Sequence, residues 1–439
     1  MSRNVNAREA ALEALTRCRR DGSWSGAAID TAIRQYALDR RDAALAARLC
    51  LGVLQNESLC DYYIGCYCAS KLEPPVRDIL RLGVYQLLFL DRIPARAAVS
   101  ETVELCRYKK LTRAAGLVNA VLRRVAENRE SLPEVPGKGS ARYLAIRYSH
   151  PRWLCEKLTE LLGYHFAEAF LQKNNEPPAL CIQVNTLKTS VGDYGALLNE
   201  AGIPYRLCKP DGCIELEKGI AAELPGFEEG LFYVQDRAAR MAVEIAAPAP
   251  GMKVLDACSC PGGKSFAAAI KMEDRGSILS CDIHEKKLRL LEAGAERLGL
   301  GCVDTRAMDA RVFDPKLEQA FDLVIADVPC SGLGVIAKKP EIRAKDPQSL
   351  RDLPEIQSAI LENLSRYVKP GGALLYSTCT ILPEENEGPV TAFLQSHPEY
   401  EAAPFTLDGV EIESGMYTFW PMVDNTDGFF AAKLRRKPV

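Results

Sequence analysis

From about residue 241 the chain alternates short apolar runs with helical stretches, and few folds accommodate that rhythm. KVLDAC, SILSCD, CVDTRAMD, FDLVIADVP and GGALLYSTCT read as strands, separated by KSFAAAIKM, EKKLRLLEAGAERLG and PEIQSAILENLSRYV. Strands alternating with helices at this spacing predict a parallel, doubly wound α/β sheet with helices on both faces. In such a sheet ligands bind beyond the carboxyl ends of the strands. Every residue that closes an apolar run is therefore a candidate for chemistry. Two further strand-like runs, TFWPM and GFFAAKLRR, joined through Asp427-Gly428, predict a terminal hairpin.

The rest of the chain follows other rules. At 439 residues it is too long for one core. Residues 1 to about 130 show apolar positions at helical spacing in AREAALEAL, DILRLGVYQLLFL and GLVNAVLRRV, which predicts an all-α domain. Pro74-Pro75 and Pro94 open new helices within it. SLPEVPGKGS, residues 131–140, is a linker pattern. Between 141 and 240 a helix at WLCEKLTELLG, a strand at LCIQVNT and a helix at YGALLNEAG predict a small α+β module. The expected domains are thus 1–135, 141–240 and 241–439.

Residues 1–147 hold 24 Lys and Arg against 16 Asp and Glu, a balance of +8, while the remainder holds 31 against 42, or −11. A basic first third on an acidic body suggests an anionic partner such as RNA. No apolar run approaches the roughly 20 residues of a bilayer span. The charged amphipathic N-terminus, MSRNVNAREAALEALTRCRR, lacks a signal peptide's apolar block. A cytoplasmic protein without a membrane partner is expected. Sixteen cysteines would there remain reduced. With four histidines and no C-x-x-C, only C-x-C at Cys66/Cys68 and Cys258/Cys260, no metal site is expected.

The first strand of the α/β region runs into DACSCPGGKS, residues 256–265. A strand, a glycine turn and a helix present backbone N–H groups to a ligand, and Gly262 and Gly263 allow close approach. Asp282 closes the second strand about 20 residues on, where a carboxylate suits a ribose diol. Asp309 closes the third, where it could accept from an exocyclic amine. The turn is neither a G-x-G-x-x-G nor a Walker loop, which favours a nucleoside without a pyrophosphate, and S-adenosylmethionine is the candidate. The fourth strand ends in Asp327, Pro329 and Cys330, and the fifth in Cys379. Two thiols and a carboxylate on adjacent strand ends suit methylation of a pyrimidine ring carbon. A thiolate that adds to C6 of cytosine makes C5 nucleophilic, and a base then removes the C5 proton. Either thiol could attack. Both would need a lowered pKa, for which Lys264 offers a positive neighbour.

DACSCPGGKS, DVPCSGLG and YSTCT followed by PEENE resemble the RNA 5-methylcytosine methyltransferases of the NOL/NOP/Sun family. ILRLGVYQLLFLDRIPARAAVSETVELCR and AAGLVNAVLRRV resemble the all-α RNA-binding NusB fold, and VQDRAAR lies in a stretch similar to the family's small RRM-like extension. The resemblance covers essentially the whole chain. It implies a multidomain protein with an all-α NusB-like domain, a small α+β module and a Rossmann-like class I methyltransferase domain, acting on cytosine C5 of 16S rRNA. The implied cofactor site is Cys258, Ser259, Cys260, Pro261, Gly262, Gly263 and Lys264 with Asp282, Asp309 and Asp327. Cys379 is implied as the nucleophile and Cys330 as the thiol of product release, with Asp327 and Lys264 beside them. DNA and metal partners are not implied, and a monomer is expected. The chain departs from the family pattern at Val328 and at Ser259-Cys260, both changes among small or apolar side chains. The alternatives are an RNA-binding scaffold with an inactive methyltransferase domain, another RNA substrate, or a DNA cytosine enzyme in which Cys330 attacks. Residues 337–351 carry five basic side chains that could grip RNA phosphates. Glu384-Glu385 read as the structural first turn of a helix.

Overall fold

The computed structural model describes residues 7–217 and 219–438, so the first six residues of the amphipathic N-terminal stretch lie outside it. The chain forms two compact units, one reaching to Pro177 and including Ile336–Lys345, the other comprising Pro178–Val335 and Asp346 onward.

The first unit is helical: α1 (Ala7–Asp21), α2 (Ser25–Tyr36), α3 (Arg40–Gln55), α4 (Glu57–Tyr67), α5 (Pro74–Phe89), α6 (Ala95–Tyr108), α7 (Ala115–Glu127), α8 (Ala141–Arg147), α9 (Arg152–Leu162) and α10 (Tyr164–Lys173). Pro74 and Pro75 open α5 and Pro94 caps α6, as the sequence predicts. Helix α5 is the central element, burying Ile79, Leu80, Leu82 and Val84. Its Arg81 is buried too, and Asp61 and Asp78 accept from it at 2.5–3.0 Å. Gly52 on α3 lies so close to Tyr85 that a Cβ there would sit 1.9 Å from the ring.

Within the second unit, β1 (Leu180–Val184), β2 (Arg206–Cys208), β3 (Cys213–Leu216) and β4 (Phe232–Val234) form an antiparallel sheet in the order β2-β3-β1-β4. Helix α11 (Val191–Glu200) covers it through Tyr194 and Leu198. The large sheet contains β5 (Lys253–Asp256), β6 (Ser277–Asp282), β7 (Val303–Ala307), β8 (Phe321–Asp327), β9 (Val368–Thr378), β10 (Tyr400–Ala402) and β14 (Phe429–Arg436) in the order β10-β14-β9-β8-β5-β6-β7. Strands β9, β8, β5, β6 and β7 are parallel, as the alternation predicts. Strand β14 is antiparallel to β9 and makes the sheet mixed. A short hairpin of β11 (Phe405–Leu407) and β12 (Val410–Ile412) stands apart from it. Strand β13 (Met416–Phe419) pairs with β14, confirming a terminal hairpin. Its connection holds a helical turn at Pro421–Asp424, so it is not the tight Asp-Gly turn expected.

Alternate residues of β8 feed opposite cores. Leu323 and Ile325 pack with α12 (Arg237–Ala246) and α13 (Gly263–Lys271), whereas Val324 and Ala326 pack with α15 (Leu353–Ser365) and α16 (Glu387–Ser396). Period-two alternation of apolar residues on both faces is what a doubly covered strand requires. The carboxyl ends of β5, β6 and β8 are thereby left as the open edge.

Candidate active site

The turn after β5 is built from backbone constraints. Ala257 N–H donates to the Ile325 carbonyl at 3.0 Å, and both the N–H and hydroxyl of Ser259 donate to the Cys281 carbonyl, at 2.8 and 2.9 Å. Gly262 has φ +114°, and a Cβ there would meet the Phe266 ring at 2.5 Å, so glycine is required on both conformational and steric grounds. Behind the turn, fully buried Asp256 accepts from Ser265 Oγ at 2.7 Å, and burial pushes its carboxyl up to about 7. Burial raises the thiols of Cys258 and Cys260, the latter to about 11 with Asp282 adding to the effect, so neither turn cysteine is an activated nucleophile.

A cavity of about 380 Å³ opens at this edge. Cys258, Cys260, Asp282, Asp309 and Asp327 line it, as the sequence predicts for cofactor residues. Ser259, Pro261, Gly262, Gly263 and Lys264 do not line it and shape the turn from behind. Ile283, Met308 and Ile356 give the cavity an apolar wall that the sequence reading missed; Ile283 is half exposed directly after Asp282, a placement that serves no core. Asp282 Oδ1 accepts from the His284 N–H at 2.8 Å. Asp309 differs from expectation. Arg311 grips both its oxygens, at 3.0 and 2.7 Å, and these hydrogen bonds hold its carboxyl below the ordinary range. An amine ligand would meet a carboxylate already engaged by a guanidinium.

Asp327 forms the hinge between cavity and thiols. Lys264 Nζ contacts its Oδ2 at 2.6 Å and Ser377 Oγ donates to its Oδ1 at 2.8 Å. The same ammonium stands 5.1 Å from the centre of the Phe429 ring. Lys264 is thus committed to Asp327. Beyond it, Cys330 and Cys379 meet with their sulfurs 3.2 Å apart. Their adjacency follows from the parallel pairing of β8 with β9, in which Asp327 lies beside Ser377. The expectation of a lowered thiol is not met at Cys330, which the hydrogen bond to Cys379, and then burial, hold well above the ordinary thiol range. Either sulfur can donate across this contact.

Several residues at the site escaped the sequence reading. Glu385 and Asn386 lie in the turn before α16, not in its first helical turn, and both are buried. Glu385 Oε2 accepts from the Ser331 N–H at 2.8 Å and from Gln357 Nε2 at 3.0 Å. The basic stretch after the Pro-Cys motif departs from expectation as well. Arg343 is buried in the first unit, donating to the carbonyls of Gln55, Ser149 and Asn174 and to Asn175 Oδ1. Glu341 accepts from the N–H and hydroxyl of Ser25 at the start of α2. Arg343 and Glu341 thus carry structural ties, while Lys339 and Arg351 of the same stretch are exposed. Among the described residues all sixteen cysteines are free. None of those residues forms a group of three or more metal-ligating side chains. No described helix is long and apolar enough to cross a membrane.

Known proteins share this arrangement over the full length. Residues 243–435 match the model of the 16S rRNA methyltransferase RsmB/F, residues 5–127 that of the NusB family, and residues 150–223 an RsmF/B-like, ferredoxin-like domain. A probable ribosomal RNA small subunit methyltransferase B of Bacillus subtilis is 33% identical, covering 99% of this chain and 100% of its own. The ribosomal RNA small subunit methyltransferase B of Citrobacter koseri is 34% identical over 92% of this chain and 93% of its own. The crystal structure of PH0851 superposes with a TM-score of 0.81 at 26% identity, covering 99% of this chain and 100% of that one. A methyltransferase homologue from Pyrococcus horikoshii gives 0.59 at 27% identity, over 67% of this chain and 97% of that one. With a relative a third identical from end to end, and with the catalytic, NusB and ferredoxin-like models each matched in turn, the chain belongs to the RsmB family of ribosomal RNA small subunit methyltransferases.

Proposed function

We propose that the protein transfers a methyl group from S-adenosylmethionine to C5 of a cytosine in 16S rRNA through a covalent bond between Cys379 and C6. The observation that carries the reading is the thiol pair, 3.2 Å apart at the open edge of the sheet, with Asp327 leading from one thiol to the cavity. Core packing gives no reason for two partly exposed cysteines and a caged carboxylate to share that edge.

The cavity fits the cofactor: it joins carboxylates at Asp282 and Asp327 to an apolar wall at Ile283 and Met308, as a charged nucleoside requires. Asp282 would hold the ribose hydroxyls, and the turn, through Cys258 and Cys260 at the cavity wall, would border the amino-acid end. When bound, S-adenosylmethionine supplies the electrophilic methyl group that C5 takes up. Asp327, held by Lys264 and Ser377, presents a fixed carboxylate to the pyrimidine edge. Cys379 attacks C6, and Cys330 serves the elimination that frees it. The target base must leave any stack to reach this edge. The NusB-like helices, with their positive balance, are read as an rRNA-binding surface, and the site of action as the cytoplasm.

Covalent trapping tests the assignment. RNA carrying 5-fluorocytosine cannot lose its C5 substituent, so the adduct persists on a denaturing gel. Adduct lost in Cys379→Ala and kept in Cys330→Ala supports Cys379 as nucleophile and Cys330 as the thiol of release. The opposite pattern reverses them, and no adduct in wild type, with labelled methyl transfer also absent, removes the function.

A further inference from the structure

Several of the groups that fix the two thiol loops lead to one turn. Before Cys330, the Pro329 carbonyl accepts from Gln357 Nε2 at 3.0 Å, and the same amide nitrogen donates to Glu385 Oε2. After Cys330, the Ser331 N–H donates to Glu385 Oε2, and the Ser331 hydroxyl meets Thr380 Oγ1 at 2.7 Å. Around Cys379, Thr378 Oγ1 donates to Asn386 Oδ1 at 2.6 Å, and Asn386 Nδ2 donates to the Thr380 carbonyl at 3.2 Å. The turn is itself tied down, since Tyr376 OH donates to the Glu385 carbonyl at 2.6 Å. Glu385 is 1% exposed, and Asn386, Gln357, Ser331 and Thr380 are fully buried. A carboxylate sealed from water and held by neutral donors is costly unless its hydrogen bonds perform a task. Glu385 receives two N–H bonds from the frame of the Pro-Cys motif, whereas Asn386 holds the neighbouring Thr-Cys loop.

We infer that Glu385 is the positioning residue for Cys330, acting through the Ser331 N–H and, by way of Gln357, the Pro329 carbonyl. This rests on the reading of Cys330 as the thiol of product release, and it assigns the step at which Glu385 acts. Glu385→Ala removes the oxygen that the Ser331 N–H and Gln357 Nε2 both reach, leaving Gln357 its bond to the Pro329 carbonyl, and loosens the Pro-Cys loop. Glu385→Gln keeps an oxygen for those two donors and turns an amide toward Thr380 Oγ1, which can accept. Geometry thus predicts loss with alanine and rescue with glutamine. Gln357→Met reaches the same loop from its other side, removing the Pro329 tie and one donor to Glu385 while leaving the carboxylate and its Ser331 bond in place.

The experiment uses the full-length protein, unmodified 16S rRNA and labelled S-adenosylmethionine. It compares the first turnover with the steady state and follows the covalent enzyme–RNA species on a denaturing gel. Cys330→Ala and Cys379→Ala are the references. Glu385→Ala and Gln357→Met are expected to complete the first methyl transfer within about threefold of wild type, yet slow steady-state turnover by roughly tenfold to a hundredfold. The adduct should accumulate as in Cys330→Ala, and Glu385→Gln should restore turnover. A residue that merely stabilised the fold would lower both phases together. The inference is overturned if the two phases fall in parallel, if turnover is unchanged in both variants, or if the variants lose the adduct while Cys330→Ala retains it. If Cys330→Ala itself fails to retain adduct, the release reading fails, and Glu385→Ala matching Cys330→Ala but not Cys379→Ala still supports the positioning role.

Discussion

Asp256 gives this fold a pH dependence that can be worked out in advance. Its carboxyl is buried at the end of β5, and burial lifts it from an ordinary value of 3.8 to about 7. As pH rises, the unfolded chain releases this proton near pH 4 while the folded chain holds it to about 7. Stability from this group is therefore present below the unfolded value, is lost as pH climbs to about 7, and is flat above. The whole shift corresponds to about 4 kcal/mol, and the part falling between about pH 5.5 and about pH 8.5 to about 2 kcal/mol. Asp256→Asn keeps an oxygen for Ser265 Oγ and cannot titrate. The assay is urea unfolding at the two pH values, read through β5 peptides after a brief hydrogen-exchange label, because a chain of two units need not unfold in one step. The variant should gain about 2 kcal/mol on wild type on going from the lower to the higher pH, whatever its constant offset. Other titrating groups, such as buried His150, whose ring burial keeps neutral, cancel in that difference. A stability difference identical at both pH values would refute the reasoning.

Three further outcomes are expected. Lys264→Met leaves Asp327 facing the cavity without its cation; the pair is largely buried, so the second unit should lose about 2 kcal/mol, with single-turnover methylation reduced at least tenfold, measured by unfolding and label transfer. Gly334→Ala places a Cβ 1.8 Å from the Gly428 carbonyl oxygen, and because the Gly334 N–H also donates to the Cys379 carbonyl, melting should drop and adduct formation fail together. Arg343→Met strips the carbonyls of Gln55, Ser149 and Asn174 of a buried donor, and the helical unit should unfold roughly 3 kcal/mol more easily in urea.

Legibility in the sequence followed the kind of signal each residue leaves. The parallel sheet was readable because apolar runs such as FDLVIAD close at a polar edge, and pairing β8 with β9 then brings Cys330 to Cys379 without further information. Asp282 was readable for the same reason. Asp309 lines the cavity, but its grip by Arg311, two residues on, has no periodic signature. Glu385 and Arg343 were misread because a buried ion in a polar run looks like a solvated one; their partners lie 54 residues away at Ser331 and 288 residues away at Gln55. Likewise Lys264 was read as an activator of thiols because nothing local announces Asp327, 63 residues downstream.

The contact between the two cysteines also bears on how the enzyme rests between substrates. With their sulfurs 3.2 Å apart, each thiol shields one side of the other while both stay partly exposed. On the proposed reading, a flipped pyrimidine ring parts them as it reacts, and bonding Cys379 to C6 would take that sulfur out of the contact, so the second thiol would be released only after the first is engaged. The order of the two chemical events would be written into a single sulfur–sulfur contact.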